Sequence, residues 1–264
     1  MIRHAAFGFI AASVLLPARA ETPPAAPVRV AVIIDDLGNV LEEGRRSTAL
    51  PGPVACSVLP LTPHSREIAR LAHAAGKEVM LHLPLESVED MPLGPGAITL
   101  HMTESEIRQT VADDIAAIPY LAGVNNHEGS LITQHPGDMA WILSSVRTAG
   151  PYFYIDSYTS VDSVAYEIAR EQGVPAARRN VFLDDVNTEA AVKQQWERLL
   201  KLARRNGFAI AIGHPRNATL AVLEEELPKL EAEGITLVPP SKIVELQEQH
   251  PLPWPPPDMS ATDH

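Results

Sequence analysis

The sequence predicts a single α/β domain built around a mostly parallel sheet. Short apolar segments alternate with helical patterns along most of the chain, and most of the helical patterns end at a glycine. No internal repeat and no second composition regime divides the chain. Strands of a parallel sheet are buried on both faces and alternate with helices, which is the pattern seen here. This alternation fits a sheet closed into a barrel as well as an open one.

Eight short segments are typical of buried strands. The first is apolar and mostly β-branched, and only Arg29 interrupts it. Such runs favour strands over helices because branched side chains pack well on a pleated surface. The predicted strands are Val28–Ile34, Val54–Leu59, Glu78–Leu83, Leu121–Val124, Tyr152–Ile155, Asn180–Leu183, Phe208–Ile212 and Ile235–Val238.

Helical patterns lie between these strands. Thr103 and Glu106 form a capping box, in which two side chains satisfy the first backbone N–H groups of a helix. Glycines follow several of the patterns, as expected where the last carbonyls need a left-handed cap. The predicted helices cover residues 65–75, 103–117, 136–149, 161–172, 188–206 and 218–233.

Composition excludes several classes of protein. The chain has 264 residues with 21 basic and 33 acidic side chains, so its net charge of −12 argues against a nucleic-acid binder. An aromatic content of 5% argues against stacking platforms for single strands. The single cysteine, Cys56, excludes an internal disulfide framework and a cysteine-rich zinc module.

Both ends of the chain differ from the predicted domain. Residues 1–20 have a short polar start, an apolar run and an Ala-x-Ala sequence, which together predict a signal peptide cleaved after Ala20. Residues 21–27 form a Pro/Ala linker, and the Pro-rich residues 250–264 are expected to be a disordered tail. We therefore expect a periplasmic or secreted domain over residues 28–249 that is not an integral membrane protein after cleavage.

Polar residues cluster at the predicted carboxyl ends of the strands, where active sites of parallel α/β folds form. Each has a simple structural explanation alone, since an Asp pair often caps a turn and a single buried His is usually a core residue. Together they form a constellation. It comprises Asp35, Asp36, His82, Asn125, Asn126, His127, Asp156, Asp184, Asp185 and His214.

Two imidazoles and a carboxylate are the ligand class of Zn, Co, Mn or Fe. A second carboxylate beside such a centre can accept a proton, and a further histidine can donate one to a leaving group. This pattern indicates a metal-dependent hydrolase of amides or esters. No H-E-x-x-H, G-x-S-x-G or P-loop motif offers a competing template.

Five segments carry a resemblance to a known family. They are Val32–Gly38 (VIIDDLG), His82–Glu86 (HLPLE), Gly123–Ser130 (GVNNHEGS), Ile155–Ser157 (IDS) and Gly213–Pro215 (GHP). Together they resemble the divergent polysaccharide deacetylases, an exported bacterial branch distantly similar to the NodB-type carbohydrate esterases. The resemblance extends from about Val28 to about Leu246. It implies a distorted (β/α) barrel of about seven strands.

The resemblance also implies roles for individual residues. Asp35 matches the catalytic base and His214 the general acid, which Asp156 is expected to orient. Asp36 and His82 match metal ligands. NodB-type enzymes have their second histidine ligand four residues after the first, where this chain has Glu86, so either Glu86 or His127 completes the site, and we favour His127. The residues expected to contact substrate are Glu86, Asn125, Asn126 and Ser130.

The expected function is that of an exported metal-dependent deacetylase. Its substrate would be a cell-envelope polysaccharide or a peptidoglycan-related glycan, and its cofactor Zn, with Co or Mn as alternatives. A non-catalytic periplasmic protein that keeps the fold to bind a glycan or a partner is the second hypothesis. A third is hydrolysis of another amide, such as a peptide stem. The Arg-Pro-Pro-x-Gly loop of the NodB-type enzymes is absent, which motivates the second hypothesis.

Overall fold

The computed structural model describes residues 27–89 and 91–249, which contain nine strands and eight α-helices. The strands are β1 (Val28–Leu37), β2 (Ala55–Val58), β3 (Val79–Leu85), β4 (Leu121–Glu128), β5 (Phe153–Asp156), β6 (Ala176–Arg178), β7 (Val181–Phe182), β8 (Phe208–Gly213) and β9 (Ile235–Leu237). The helices are α1 (Leu41–Ala49), α2 (Ser65–Ala74), α3 (Glu104–Ala117), α4 (Pro136–Ala149), α5 (Ala165–Glu171), α6 (Glu189–Asn206), α7 (Asn217–Glu226) and α8 (Pro240–Gln249).

All strand pairs of the sheet are parallel. The order is β6-β5-β4-β3-β2-β1-β8-β7, with β9 added beside the start of β1. The two ends of this order, β6 and β7, are separated along the chain only by Arg179 and Asn180. The sheet therefore curls until its edges lie near each other, which confirms a distorted (β/α) barrel in a single domain.

Two apolar layers lie on the two faces of this curled sheet. Along β1 the side chains alternate: Val30 and Val32 belong to the outer core beneath the helices, whereas Ala31 and Ile33 belong to a smaller inner cluster. Ile243 of α8 belongs to the same inner cluster. Towards the carboxyl ends of the strands, the inward-facing positions are occupied by polar residues such as Asp35 and His82. Strand alternation therefore turns these side chains towards the same end of the barrel interior.

Three described elements were not predicted from the sequence. The face of α1 that is buried consists of Gly44, Ser47 and Thr48, so the helix carries no apolar stripe to reveal it. β6 has only three residues, and α8 begins at Pro240 directly after β9. A helix predicted over 218–233 instead ends as α7 at Glu226 and continues as two 3₁₀ turns, because Pro228 cannot continue the backbone ladder.

Several strands continue past the apolar runs that predicted them. β1 extends through Asp35 and Asp36 to Leu37, and β4 extends through the Asn-Asn-His segment to Glu128. Asp35, Asp36, Asn125 and His127 therefore lie on strands rather than on loops. The predicted signal peptide (1–20), most of the linker and the tail (250–264) lie outside the described residues. Among the helices that the structure describes, none combines the length and apolarity needed to cross a bilayer.

Asp114 of α3 is a buried carboxylate away from the strand ends. Neither of its oxygens has a hydrogen-bond partner among the described residues, and a Cβ on Gly96 would lie only 2.3 Å from Oδ1. Burial, with the charge of Asp113, raises the pKa of Asp114 to about 8. The folded chain thus holds this proton more tightly than the unfolded chain.

We expect Asp114→Asn to stabilise the protein at pH 8 by about 1–3 kcal/mol, because it removes an unpaired buried charge. The raised pKa means that wild-type stability falls as pH rises from about 4 towards 8, so little gain is expected at pH 4. Urea unfolding at both pH values measures this difference. Asp162→Asn, at an exposed carboxylate away from α3, serves as control, and an equal gain for Asp114→Asn at both pH values would contradict the prediction.

Candidate metal centre

Two adjacent acids at the end of β1 reach the same site because the backbone turns between them. Asp36 has a left-handed φ of 58°, and the pairing of β1 with β2 shifts register between Ile34 and Leu37. In a regular strand, neighbouring side chains point to opposite faces. The left-handed residue breaks this alternation, so Asp36 contacts the same histidine as the buried Asp35.

Asp36, His82 and His127 bring three possible ligand atoms together. Asp36 Oδ1 lies 3.2 Å from His82 Nε2 and 2.9 Å from His127 Nδ1. The two nitrogens are 3.2 Å apart. Four tetrahedral ligands at zinc bond lengths are separated by about 3.3 Å, so the three atoms are spaced as ligands of one ion would be.

The chemistry of these three side chains fits a divalent transition metal. Asp36 Oδ1 is buried, and although two ring nitrogens lie within 3.2 Å of it, none of the described residues directs an N–H or O–H at it with hydrogen-bond geometry. Buried polar atoms without a partner are rare and call for an explanation, which a cation would supply. One carboxylate and two imidazoles are ligands of Zn, Co, Mn or Fe. The remaining coordination positions would be open to water and substrate.

The side chain of Asn125 contacts both His82 and Asp35. Its Oδ1 lies 3.1 Å from His82 Nδ1, and Ser57 Oγ donates to the same oxygen at 2.5 Å. An amide oxygen only accepts, so His82 Nδ1 carries the hydrogen. The lone pair of His82 is therefore on Nε2, which faces Asp36. Asn125 thus holds His82 in the tautomer that a metal needs.

The same amide also positions Asp35. Asn125 Nδ2 donates to both carboxylate oxygens of Asp35, at 2.9 and 3.0 Å. Burial raises the pKa of Asp35 above its usual value, against the opposing charges of His82 and His214. A buried acid with a raised pKa, held in one orientation, is suited to accept and release a proton.

The two neighbouring acids differ in their affinity for a proton. Although burial opposes ionisation of Asp36, the rings of His127 and His82 and the charge of His214 hold its pKa well below the usual range. Burial favours neutral His82, yet the carboxylates of Asp35 and Asp36 raise its pKa. The cluster therefore favours a positive charge at its centre, whether a proton or a metal ion.

His214 approaches the cluster from the end of β8. Its Nε2 lies 3.5 Å from Asp36 Oδ2, and its Nδ1 lies 2.9 Å from Asp184 Oδ1. Asp184 Oδ2 accepts from the backbone N–H of His214 at 2.7 Å and from Thr219 Oγ1 at 2.6 Å. Despite burial, the bond to Asp184 and the charge of Asp36 raise the pKa of His214. The imidazole is thus oriented as a proton donor.

The structure places Asp184, rather than the predicted Asp156, beside His214. Asp156 follows the inner residue Ile155 on β5, so strand alternation sends its side chain to the outer face. There Asp156 Oδ2 accepts from Arg178 Nε at 2.9 Å and from Ser163 Oγ at 3.0 Å. Asp156 therefore links β6 to the loop before α5, and it is Asp184 that contacts His214.

The remaining predicted residues occupy different positions. The carboxylate of Glu86 accepts a hydrogen bond from the backbone N–H of Leu100 at 2.7 Å and so stabilises the loop after β3. His127, and not Glu86, lies with Asp36 and His82 in the metal cluster. Asn126 is buried on the outer face, and Ser130 Oγ accepts from the backbone N–H of Val88 at 3.0 Å. Substrate contacts by these residues stay predictions.

Three residues of the site were not assigned a role from the sequence. Asp184 was recognised as a strand-end acid but was not linked to His214, while Ser57 and Thr219 carry no motif. Side chains alternate along β5, and Ile155 faces inwards, so Asp156 faces outwards and is excluded as a partner of His214. Asp184, after β7, is then the remaining acid that could contact His214. Nothing in the sequence marks a serine that supports an asparagine.

Comparison with known proteins gives relatives along most of the chain. The Escherichia coli K12 protein YibQ is 36% identical over 225 residues, which cover 85% of this chain and 70% of YibQ. A Haemophilus influenzae protein is 35% identical over 210 residues, covering 80% of this chain and 74% of that protein. Both are described as uncharacterized proteins.

Solved structures share the fold. The Agrobacterium tumefaciens C58 protein ATU2773 superposes with a TM-score of 0.79 at 22% identity, covering 83% of this chain and 90% of that one. BA3943 of Bacillus anthracis, described as a CE4 family pseudoenzyme, superposes with a TM-score of 0.52 at 14% identity, covering 83% and 66%. At these identities the likeness concerns the fold alone.

The model of one protein family matches residues 32–244, which include every side chain of the metal cluster and the His214–Asp184 pair. That match extends over most of the chain, and the curled parallel sheet agrees with it. The chain belongs to the divergent polysaccharide deacetylase family.

Proposed function

We propose that the protein hydrolyses acetyl groups, as amides or esters, of a cell-envelope carbohydrate with a divalent metal, zinc first and cobalt or manganese as alternatives. The observation that carries this proposal is the close approach of His82 Nε2 and His127 Nδ1 to the buried Asp36 Oδ1, which puts three possible ligand atoms at the spacing of one metal site. The family match supports a carbohydrate substrate.

Asp36, His82 and His127 would hold the metal. When bound, a divalent ion lowers the pKa of a water molecule and polarises the carbonyl that is attacked. Asp35 accepts the proton that the attacking water loses, since its carboxylate is buried, raised in pKa and held by Asn125. His214 donates a proton to the departing amine or alkoxide, because Asp184 fixes its Nδ1 and leaves Nε2 facing the cluster.

We also propose that this chemistry takes place outside the inner membrane, as the sequence of residues 1–20 suggests. The substrate would then be a polysaccharide or a peptidoglycan-related glycan of the envelope. The net charge of −12 disfavours a strongly anionic polymer unless the region around the cluster is locally basic.

The second candidate function is glycan or partner binding without catalysis. The shared fold of a protein described as a pseudoenzyme favours it, because that fold occurs without native activity. The two candidate functions differ in whether Asp35 and His214 must exchange protons. Only catalysis needs Asp35 and His214 to change protonation.

We expect the purified protein to bind about one equivalent of zinc, cobalt or manganese, and His82→Ala and His127→Ala to lose it. Each change removes one of three ligands from the cluster. Elemental mass spectrometry measures the metal content, and His101→Ala, which alters an exposed histidine, should keep it. Circular dichroism shows whether each variant is folded. A folded wild-type protein that stays empty after incubation with all three ions would favour the binding function.

Asn125→Leu should weaken metal affinity about 10–100-fold while leaving all three ligands in place, because His82 loses the partner that sets its tautomer. Competition with a chelator measures the affinity. Asn126→Leu, which changes the neighbouring outward-facing amide, is the matched control if it folds. Equal affinity in wild type and a folded Asn125→Leu would contradict the positioning role of Asn125.

Asp35→Asn should lower kcat for an acetylated glycan about 10²–10⁴-fold, the range that a general base contributes, and spare the metal content. Asp35 is outside the three-ligand cluster, and an amide cannot take the proton of the attacking water. Asp185→Asn, at an exposed acid near the same edge, should retain wild-type kcat. Retained turnover in metal-loaded Asp35→Asn would remove Asp35 from the mechanism.

A further inference from the structure

A pocket of about 210 Å³ opens beside the metal cluster, with Asp36 and His127 in its wall. Leu59 and the loop after β3, through Pro92, Leu93 and Pro95, supply an aliphatic wall. None of the described residues that line the pocket is a lysine, an arginine, a phenylalanine, a tyrosine or a tryptophan. A ligand in this pocket would lie beside Asp36 and His127 of the metal cluster.

Exposed aliphatic side chains are adjacent in sequence to residues that line the pocket. Val40, Leu61 and Met91 are about half exposed or more, and each is adjacent in sequence to a residue that lines the pocket. Among the described residues, seven large hydrophobic side chains are exposed, and six of them lie on loops that leave the carboxyl ends of strands. The remaining one, Tyr120, lies before β4 at the opposite end of the sheet.

These features fit an aliphatic chain better than a sugar ring. Hydroxyl groups that lose water need hydrogen-bond partners, and apart from Asp36 and His127 at the metal end, the described lining offers only the side chains of Asn39 and Thr62. Sugar rings would also gain from aromatic faces, which this wall lacks. A water molecule takes about 30 Å³ of liquid, so the three heavy atoms of an acetyl group leave much of the pocket unfilled.

We propose that the pocket binds an aliphatic chain attached to the scissile carbonyl, so that the preferred substrates carry an acyl group longer than acetyl. This inference rests on the proposed function, since it names the acyl group that the same site cleaves. Water adds to the acyl carbonyl carbon, the C–N or C–O bond breaks, and the products are a longer carboxylate and a protonated amine or an alcohol.

The first test is a chain-length series of 4-nitrophenyl esters with the zinc-loaded protein. We expect kcat/KM to rise from acetate through butanoate to hexanoate, by up to about fourfold for each methylene that the pocket buries. Leu93→Asn, which places an amide in the aliphatic wall, should flatten this rise. Tyr120→Asn, which alters an exposed hydrophobic residue far from the pocket, should keep it. A profile that is flat or falls from acetate onwards in the wild type would overturn the inference.

The second test measures binding without turnover. In Asp35→Asn, N-hexanoylglucosamine should bind at least tenfold more tightly than N-acetylglucosamine by isothermal titration calorimetry, and Leu93→Asn in the same background should reduce this ratio. Hydrolysis of acetate together with equal binding of the two sugars would leave the proposed function intact and overturn the inference. Tighter binding of the hexanoyl sugar without any ester hydrolysis would support the pocket and count against catalysis. No difference in binding and no metal would overturn both.

Discussion

The site depends on one buried asparagine. Asn125 uses its amide nitrogen to hold both oxygens of Asp35 and its amide oxygen to fix the hydrogen of His82. One side chain thus sets both the tautomer of His82 and the orientation of the Asp35 carboxylate. Ser57 in turn donates to Asn125, so the side chain cannot rotate freely. An amide is suited to this position because it donates at one end and accepts at the other, and it carries no charge into a cluster that already holds two acids.

The geometry around Asn125 follows from strand alternation and from one exception to it. Alternation along β4 turns Asn125 and His127 towards the interior and Asn126 towards the outer layer, where Tyr154 donates to it. The left-handed φ of Asp36 breaks the rule on β1. A non-glycine residue in that conformation costs free energy, which the neighbouring packing must offset. The protein thereby places two carboxylates of opposite proton affinity side by side from consecutive positions.

The sequence predicted the fold class and the members of the metal cluster, because apolar strands and strand-end polar residues are local patterns. It missed α1, whose buried face is small and polar, and it ended β1 and β4 where apolarity ends rather than where pairing ends. Asp156 and Asp184 both come at the ends of apolar strands, so the sequence pattern does not distinguish them as partners of His214. The difference is that the side chain of Asp156 lies on the outer face of β5. Partners such as Ser57 are set by tertiary packing between distant segments, which carries no sequence signal.

The position of β1 in the sheet has a consequence for the order of assembly. Each of the strands β2 to β6 pairs with the strand before it in the chain, so the first part of the sheet can grow as the chain emerges. This part contains Asp36, His82 and His127. The other edge of β1 has no partner until β8, at residues 208–213, has been made. The same late segment brings His214. Synthesis of β8 therefore covers an edge of β1 that would otherwise be open to pairing with another chain, and it brings His214 to the cluster at the same stage.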